Sequence, residues 1–200
     1  SLHFLAAELG LETIKVPSGE ITNGPFLLQI ARTGCDIILS SGMSSLEDVK
    51  AALGVIAFGL LGGTDQPSEK AFDAAFASMK GKAALREKSA YPTPLDEANV
   101  MAMVTMRDAF GLRTGFSDHT AGQIASLTAT ALGATIIEKH FTLDRNLPGP
   151  DHKASLEPQE LKTLITAIRA IEQSLGDGIK KPQPSEIETA TVARKSLVAL

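Results

Sequence analysis

Two histidines fall at the ends of short apolar runs, His119 in SDHT and His140 in EKHF. Side chains alternate along an extended segment. Ser117 therefore shares a face with His119, and Glu138 shares one with His140, while Lys139 takes the opposite side. If the two runs lie side by side, both imidazoles enter one pocket. Two imidazoles completed by a carboxylate or water suit a divalent transition metal. Glu138 could then hold a metal-bound water or a histidine proton. The same spacing also suits a hydrogen-bonded histidine pair with no ion between the rings.

A second group of polar residues follows other apolar runs. Lys15 interrupts TIKVPSG, where an ammonium is costly to bury without an anion or a carboxylate. Ser18, Ser40 and Ser41 stand at the ends of two runs. Lysine, hydroxyls and free backbone N–H groups together make an anion site. Alternatively the lysine snorkels to the rim and the serines cap helices. Ser44 and Ser45 are assigned to capping. Glu20 can bind a sugar hydroxyl, act as a base or stay solvated. Residues 144–156, DRNLPGPDHKASL, form a long polar loop in which Asp151 and His152 follow a rigid Pro-Gly-Pro turn. Asp151 can reach a substrate or cap that turn. Tyr91, which opens YPTP, offers a hydroxyl to a ligand or packs as a ring. Arg113, Arg145 and Arg169 have no distinguishing context, and Lys180-Lys181 reads as a solvated turn.

These residues need a scaffold. Four runs rich in apolar residues, Thr13–Glu20, Asp36–Met43, Arg113–Thr120 and Thr135–Thr142, read as buried strands bounded by Gly and Pro. Helices are expected between them: 45–60, opened by a Ser44-x-x-Glu47 capping box; 96–110, stopped by Gly111; 121–132, stopped by Gly133. A further helix, 157–175, carries Leu161, Leu164, Ile165, Ile168 and Ile171 at helical spacing and stops at Gly176. Strand and helix alternate, which predicts a parallel α/β sheet. Polar residues end several different strands, and no glycine-rich dinucleotide fingerprint follows the first. That favours a TIM (β/α)8 barrel over a doubly wound sheet. Between Lys88 and SAYPTP no apolar strand is visible.

Composition sets the outer limits. The chain has 200 residues, 44% of them apolar and 21% charged, with a formal net charge of -4. This is ordinary for a globular protein and ample for a core. No nucleic-acid surface is expected, because Lys and Arg are not clustered. No run reaches the roughly 20 apolar residues of a membrane span. No signal peptide is visible, so a cytoplasmic protein is expected. The lone Cys35 reads as a buried, reduced thiol.

The motifs KVPSGEITN, ILSSGMSSLED, YPTP, GFSDHT, ALGATIIEKHFTLD and PGPDHKASLEP, followed by KPQPSE and ARKSLVA, resemble the sialic acid synthase family in family order. The resemblance implies a Mn²⁺-dependent TIM barrel, usually followed by a small antifreeze-like domain. It implies condensation of phosphoenolpyruvate with N-acetylmannosamine or a related N-acetylated amino sugar. The products are a nine-carbon α-keto acid and phosphate. It assigns metal ligation to His119 and His140, and phosphoenolpyruvate binding to Lys15, Ser18, Ser40 and Ser117. Glu20, Tyr91 and Asp151 would face the sugar, with Glu138 positioning a metal-bound water; Glu20, Glu138 and Asp151 are the expected catalytic carboxylates. A homodimer is expected on the same ground. The family's first strands and second domain have no counterpart here. Residues 1–190 are therefore expected to be an incomplete, C-terminal portion of the barrel, with 191–200 opening a linker. A metal-dependent aldolase on the same barrel, or a non-catalytic sugar-binding fragment, are the alternatives.

Overall fold

A computed structural model describes residue 6 and residues 8–63, 66–78, 80–81, 89–90, 98–149 and 151–194. Strand and helix alternate as expected. Strand β1 (Thr13–Val16) leads through a 3-10 turn (Ser18–Glu20) into helix α1 (Gly24–Ala31). Strand β2 (Asp36–Leu39) leads into α2 (Leu46–Leu60), and α3 (Glu69–Ala77) follows. A two-residue strand β3 (Ser89–Ala90) precedes α4 (Val100–Phe110). Then come β4 (Phe116–Asp118), α5 (Ile124–Ala131), β5 (Ile137–Lys139), a 3-10 turn (His152–Ala154), α6 (Pro158–Leu175) and α7 (Pro184–Ala193).

All strand pairing is parallel among the described residues. One sheet has the order β1-β2-β3, and a second joins β4 to β5. The α/β class is thus as expected, while the strands are shorter than their apolar runs. The polar ends of those runs leave the ladder: Ser40 just after β2, His119 just after β4, His140 just after β5. Where no apolar strand was visible in the sequence, Ser89 and Ala90 take a strand position, pairing with Ile37 and Ile38.

Two apolar clusters hold these units. In the larger, Val16, Ile37 and Leu39 of the first sheet pack against Leu27 and Ile30 of α1 and Leu53 and Ile56 of α2. The two helices touch closely at Gly59, where an added Cβ would lie 2.5 Å from the Cβ of Ala31. In the smaller cluster, Phe116 of β4 is buried with Met103 of α4 and Ala129 of α5. Helix α6 packs on α5, yet of its expected apolar stripe Leu164 alone is buried.

The helix ends correct two expectations. The capping box of α2 is Ser45 with Asp48, not Ser44 with Glu47. The Ser45 side chain accepts from the Asp48 backbone N–H, and the Asp48 carboxylate accepts from the Ser45 N–H. Helices α4 and α5 begin a few residues later than their patterns suggested, whereas α4 stops as expected at Gly111, which takes the left-handed conformation at φ 64. Cys35 is buried and free, as expected. No helix among the described residues is long and apolar enough to cross a membrane.

Candidate active site

The β4–β5 pair places four of the candidate residues on one face. In the ladder Ser117 lies opposite Glu138, and Asp118 opposite Lys139. His119 and His140 leave the two strands next. The Ser117 hydroxyl is 3.1 Å from Nε2 of His119, and Nδ1 of His119 is 3.1 Å from Nε2 of His140. The ring centroids stand 5.0 Å apart. An imidazole can donate through one ring nitrogen and accept through the other, so the three groups form a continuous hydrogen-bonded row.

Lys15 joins this face from the other sheet. Its Nζ donates to Oε1 of Glu138 at 2.5 Å, with 43% and 40% of the two side chains exposed. The pair bridges β1 and β5, which are not hydrogen-bonded to one another. It therefore brings the C-terminal ends of both sheets to one space. The lysine is exposed near the end of its strand, as in the rim alternative, and pairs there with a carboxylate. Burial works to raise the Glu138 carboxyl, but the Lys15 hydrogen bond and charge, the Ser117 hydroxyl and the His119 charge outweigh it and hold it below the usual range. The second oxygen, Oε2, is buried without a hydrogen-bond partner among the described residues, as is the hydroxyl of Ser40. Buried polar atoms left unpaired are uncommon and suit a ligand.

The remaining described candidates make no hydrogen bond or ion pair to this group among the described residues. Ser18 is half-buried in the turn after β1. Glu20 accepts from the Asn23 side-chain amide at 2.7 Å, and Asn23 caps α1 by accepting from the Phe26 N–H. Asp151 is exposed at the start of its 3-10 turn and makes no side-chain capping bond, so its carboxylate is available. Tyr91 lies outside the described residues. The loop 144–156 is stitched to the His140 strand, because Leu156 N–H donates to the His140 carbonyl and Thr142 N–H to the Leu156 carbonyl. Arg145, which had no distinguishing context in the sequence, anchors that loop by donating to the Ser155 carbonyl and pairing with Glu160 of α6. Within the loop, His152 Nδ1 lies 2.7 Å from the Thr142 hydroxyl.

The opposite face of β4–β5 holds a residue that the sequence reading passed over. Asp118 is buried and accepts from the Thr120 N–H and hydroxyl and from the Ser126 hydroxyl of α5. Lys139 Nζ lies 3.1 Å from the same carboxylate and donates to the Thr120 carbonyl at 2.5 Å. Burial works to raise the Asp118 carboxyl, but the Ser126, Thr120 and Lys139 donors prevail and lower it. Alternation had already put Lys139 on this face; extending it to Asp118 in the neighbouring strand would have found the pair.

The chain's own donors fit a divalent ion in part. The 3.1 Å between the two ring nitrogens is about the edge length of a coordination shell with metal–nitrogen bonds near 2.1 Å. No group of three or more His, Cys, Asp or Glu side chains stands ready for a metal among the described residues. The fit is thus two imidazoles with a carboxylate nearby and positions left for water or substrate. The larger grooves are lined by other residues, such as the one of about 550 Å³ bordered by Leu27, Glu47, Phe72 and Asp73; the histidines stand on an open face.

Lysine, hydroxyls, a carboxylate and paired imidazoles gathered where parallel strands end make this an α/β protein with an enzyme-like polar site. The chain belongs to the NeuB family, whose match runs over residues 1–180. It is 49% identical over 195 residues to the N,N'-diacetyllegionaminic acid synthase of Campylobacter jejuni, covering 98% of this chain and 54% of that protein. It is 33% identical to the N-acetylneuraminate-9-phosphate synthase of Mus musculus, over 96% of this chain and 48% of that one. Among solved structures, the N-acetylneuraminic acid (sialic acid) synthetase of Leptospira borgpetersenii in complex with citrate superposes with a TM-score of 0.72 at 30% identity, over 95% of this chain and 61% of that one. The chain spans about half the length of the curated relatives it matches.

Proposed function

We propose that the intact protein condenses phosphoenolpyruvate with an N-acetylated amino sugar, giving a nine-carbon α-keto acid and phosphate, and that the two sheets are arcs of one TIM barrel. The observation that carries this reading is the Lys15–Glu138 bridge, which joins β1 to β5, the strand that leads into His140. Kinship with acid synthases supports it. Lys15, with the hydroxyls of Ser18, Ser40 and Ser117, holds the phosphate and carboxylate of phosphoenolpyruvate. The arriving anion competes with Glu138 for Lys15, which frees the carboxylate. C3 of phosphoenolpyruvate attacks the aldehyde carbon of the open-chain sugar with its C2–C3 π pair, leaving C2 cationic, and the aldehyde oxygen takes up a proton to become a hydroxyl. Water then adds at C2, and Glu138 takes its proton. The tetrahedral product loses phosphate by C–O cleavage. Glu20, Tyr91 and Asp151 orient the sugar. His119 and His140 are the residues that would hold Mn²⁺ or another divalent ion, which when bound supplies Lewis-acid polarisation of the aldehyde oxygen.

The 49%-identical relative makes a diacetylated product, so a 2,4-diacetamido sugar is expected to outrun N-acetylmannosamine. A homodimer is the proposed assembly, read by light scattering. The test is phosphate release from phosphoenolpyruvate with Mn²⁺ and each sugar in parallel, with and without chelator. Chelator-sensitive release with one sugar is expected. No release with either from a folded protein would overturn the synthase reading.

A further inference from the structure

Among the described residues, the paired histidines have no direct support beyond Ser117 and each other. Both rings are partly open to solvent, and each residue stands one position past the end of a three-residue strand. Strands this short fray easily, and a one-residue slip would turn a histidine to the other face. Something must fix how far apart the two imidazoles stand.

The last rung of the ladder before the histidines is Asp118 opposite Lys139. Their side chains point away from the imidazoles, into the layer between the strands and α5, and are 0% and 4% exposed. The carboxylate is held on three sides: by the Thr120 N–H and hydroxyl, by the Ser126 hydroxyl of α5, and by the Lys139 ammonium. Lys139 also donates to the Thr120 carbonyl, one residue beyond His119. His119 is therefore enclosed between two anchored neighbours, Asp118 and Thr120, both tied to the residue that precedes His140. A buried ion pair is a poor way to gain stability, because desolvation offsets most of the attraction, and an apolar pair of similar size often does as well. Its better-attested use is to fix register.

We infer that Asp118 and Lys139 are positioning residues: their buried pair clamps the ends of β4 and β5 and sets the spacing of His119 and His140 for a shared divalent ion. The inference rests on the proposed metal role of the histidines, and its test separates the two. The intact protein is titrated with Co²⁺ alone, followed by its visible absorption, and the metal-free protein is examined by NMR for ring-to-ring contacts between His119 and His140. The variants are Asp118→Asn, Lys139→Arg and the apolar double variant Asp118→Leu with Lys139→Met. Thermal unfolding reports folding for each.

The double variant is expected to stay folded, lose the ring-to-ring contacts and bind Co²⁺ about ten- to a hundredfold more weakly with an altered spectrum. Asp118→Asn is expected to weaken binding in the same direction, and Lys139→Arg, which keeps the charge pair, to retain most of the unaltered affinity. Folded variants with wild-type Co²⁺ affinity, spectrum and ring contacts would overturn the clamp. So would unfolding of both the double variant and Asp118→Asn, because the pair would then serve the fold at large. Absence of Co²⁺ binding in the unaltered protein would overturn the metal role itself, and loss of ring contacts in the variants would still be read independently.

Discussion

The two faces of the β4–β5 pair are built from alternate residues of the same two segments, yet they have opposite characters. On one, Ser117, His119, Glu138 and His140 leave a histidine pair accessible and a carboxylate oxygen without a partner among the described residues. On the other, Asp118 and Lys139 are sealed under α5 with their charges satisfied. The open face is poorly satisfied and suited to a ligand, while the closed face is saturated and suited to holding shape. Stranding one partner of the closed face should therefore cost stability in addition to metal affinity, whereas removing a group from the open face should cost activity with little loss of stability.

The largest expected effect comes from breaking the closed face on one side only. Lys139→Ala strands a buried carboxylate and should destabilise the fold by about 3–5 kcal/mol, read by urea unfolding. Glu138→Gln, on the open face, should leave unfolding nearly unchanged while lowering phosphate release by about ten- to a hundredfold, read by steady-state kinetics. Acid should separate the faces as well. The Asp118 carboxyl is lowered in the folded state, so its stabilisation is present above the unfolded value near about 3.9 and is lost as pH falls through the folded value. Thermal midpoints measured from neutral pH into acid should fall less steeply for the Asp118→Leu, Lys139→Met double variant than for the unaltered protein. As a reference outside both faces, Ser45→Ala removes only the α2 cap and should cost about 1 kcal/mol with no loss of activity.

Much of the open face was legible because it depends on local alternation. Ser117 with His119, and Glu138 with His140, follow from the period of two, and the helix stops at Gly111 and Gly176 follow from backbone chemistry. The contacts that complete the site are remote in sequence. Lys15 and Glu138 are 123 positions apart and sit in different sheets, so each reads alone as an awkward charge. Ser44-Ser45 with Glu47-Asp48 offers two overlapping capping boxes, and only the backbone geometry selects Ser45. Ser89–Ala90 is too short to show any period, and α7 buries no residue that would have marked it. Glu20 is open in the sequence between a ligand-facing and a solvated role, and its bond from Asn23 is a local one that the Glu-x-x-Asn spacing permits but does not demand.

The central claim is that the open face performs chemistry and contributes little to folding. The most direct test measures chelator-sensitive phosphate release and the thermal midpoint on one variant, His140→Ala. The account predicts loss of release with a midpoint within about 4 °C of the unaltered protein, the shift that roughly 1 kcal/mol would give at this size. Retained release, or release and fold lost together, would contradict it.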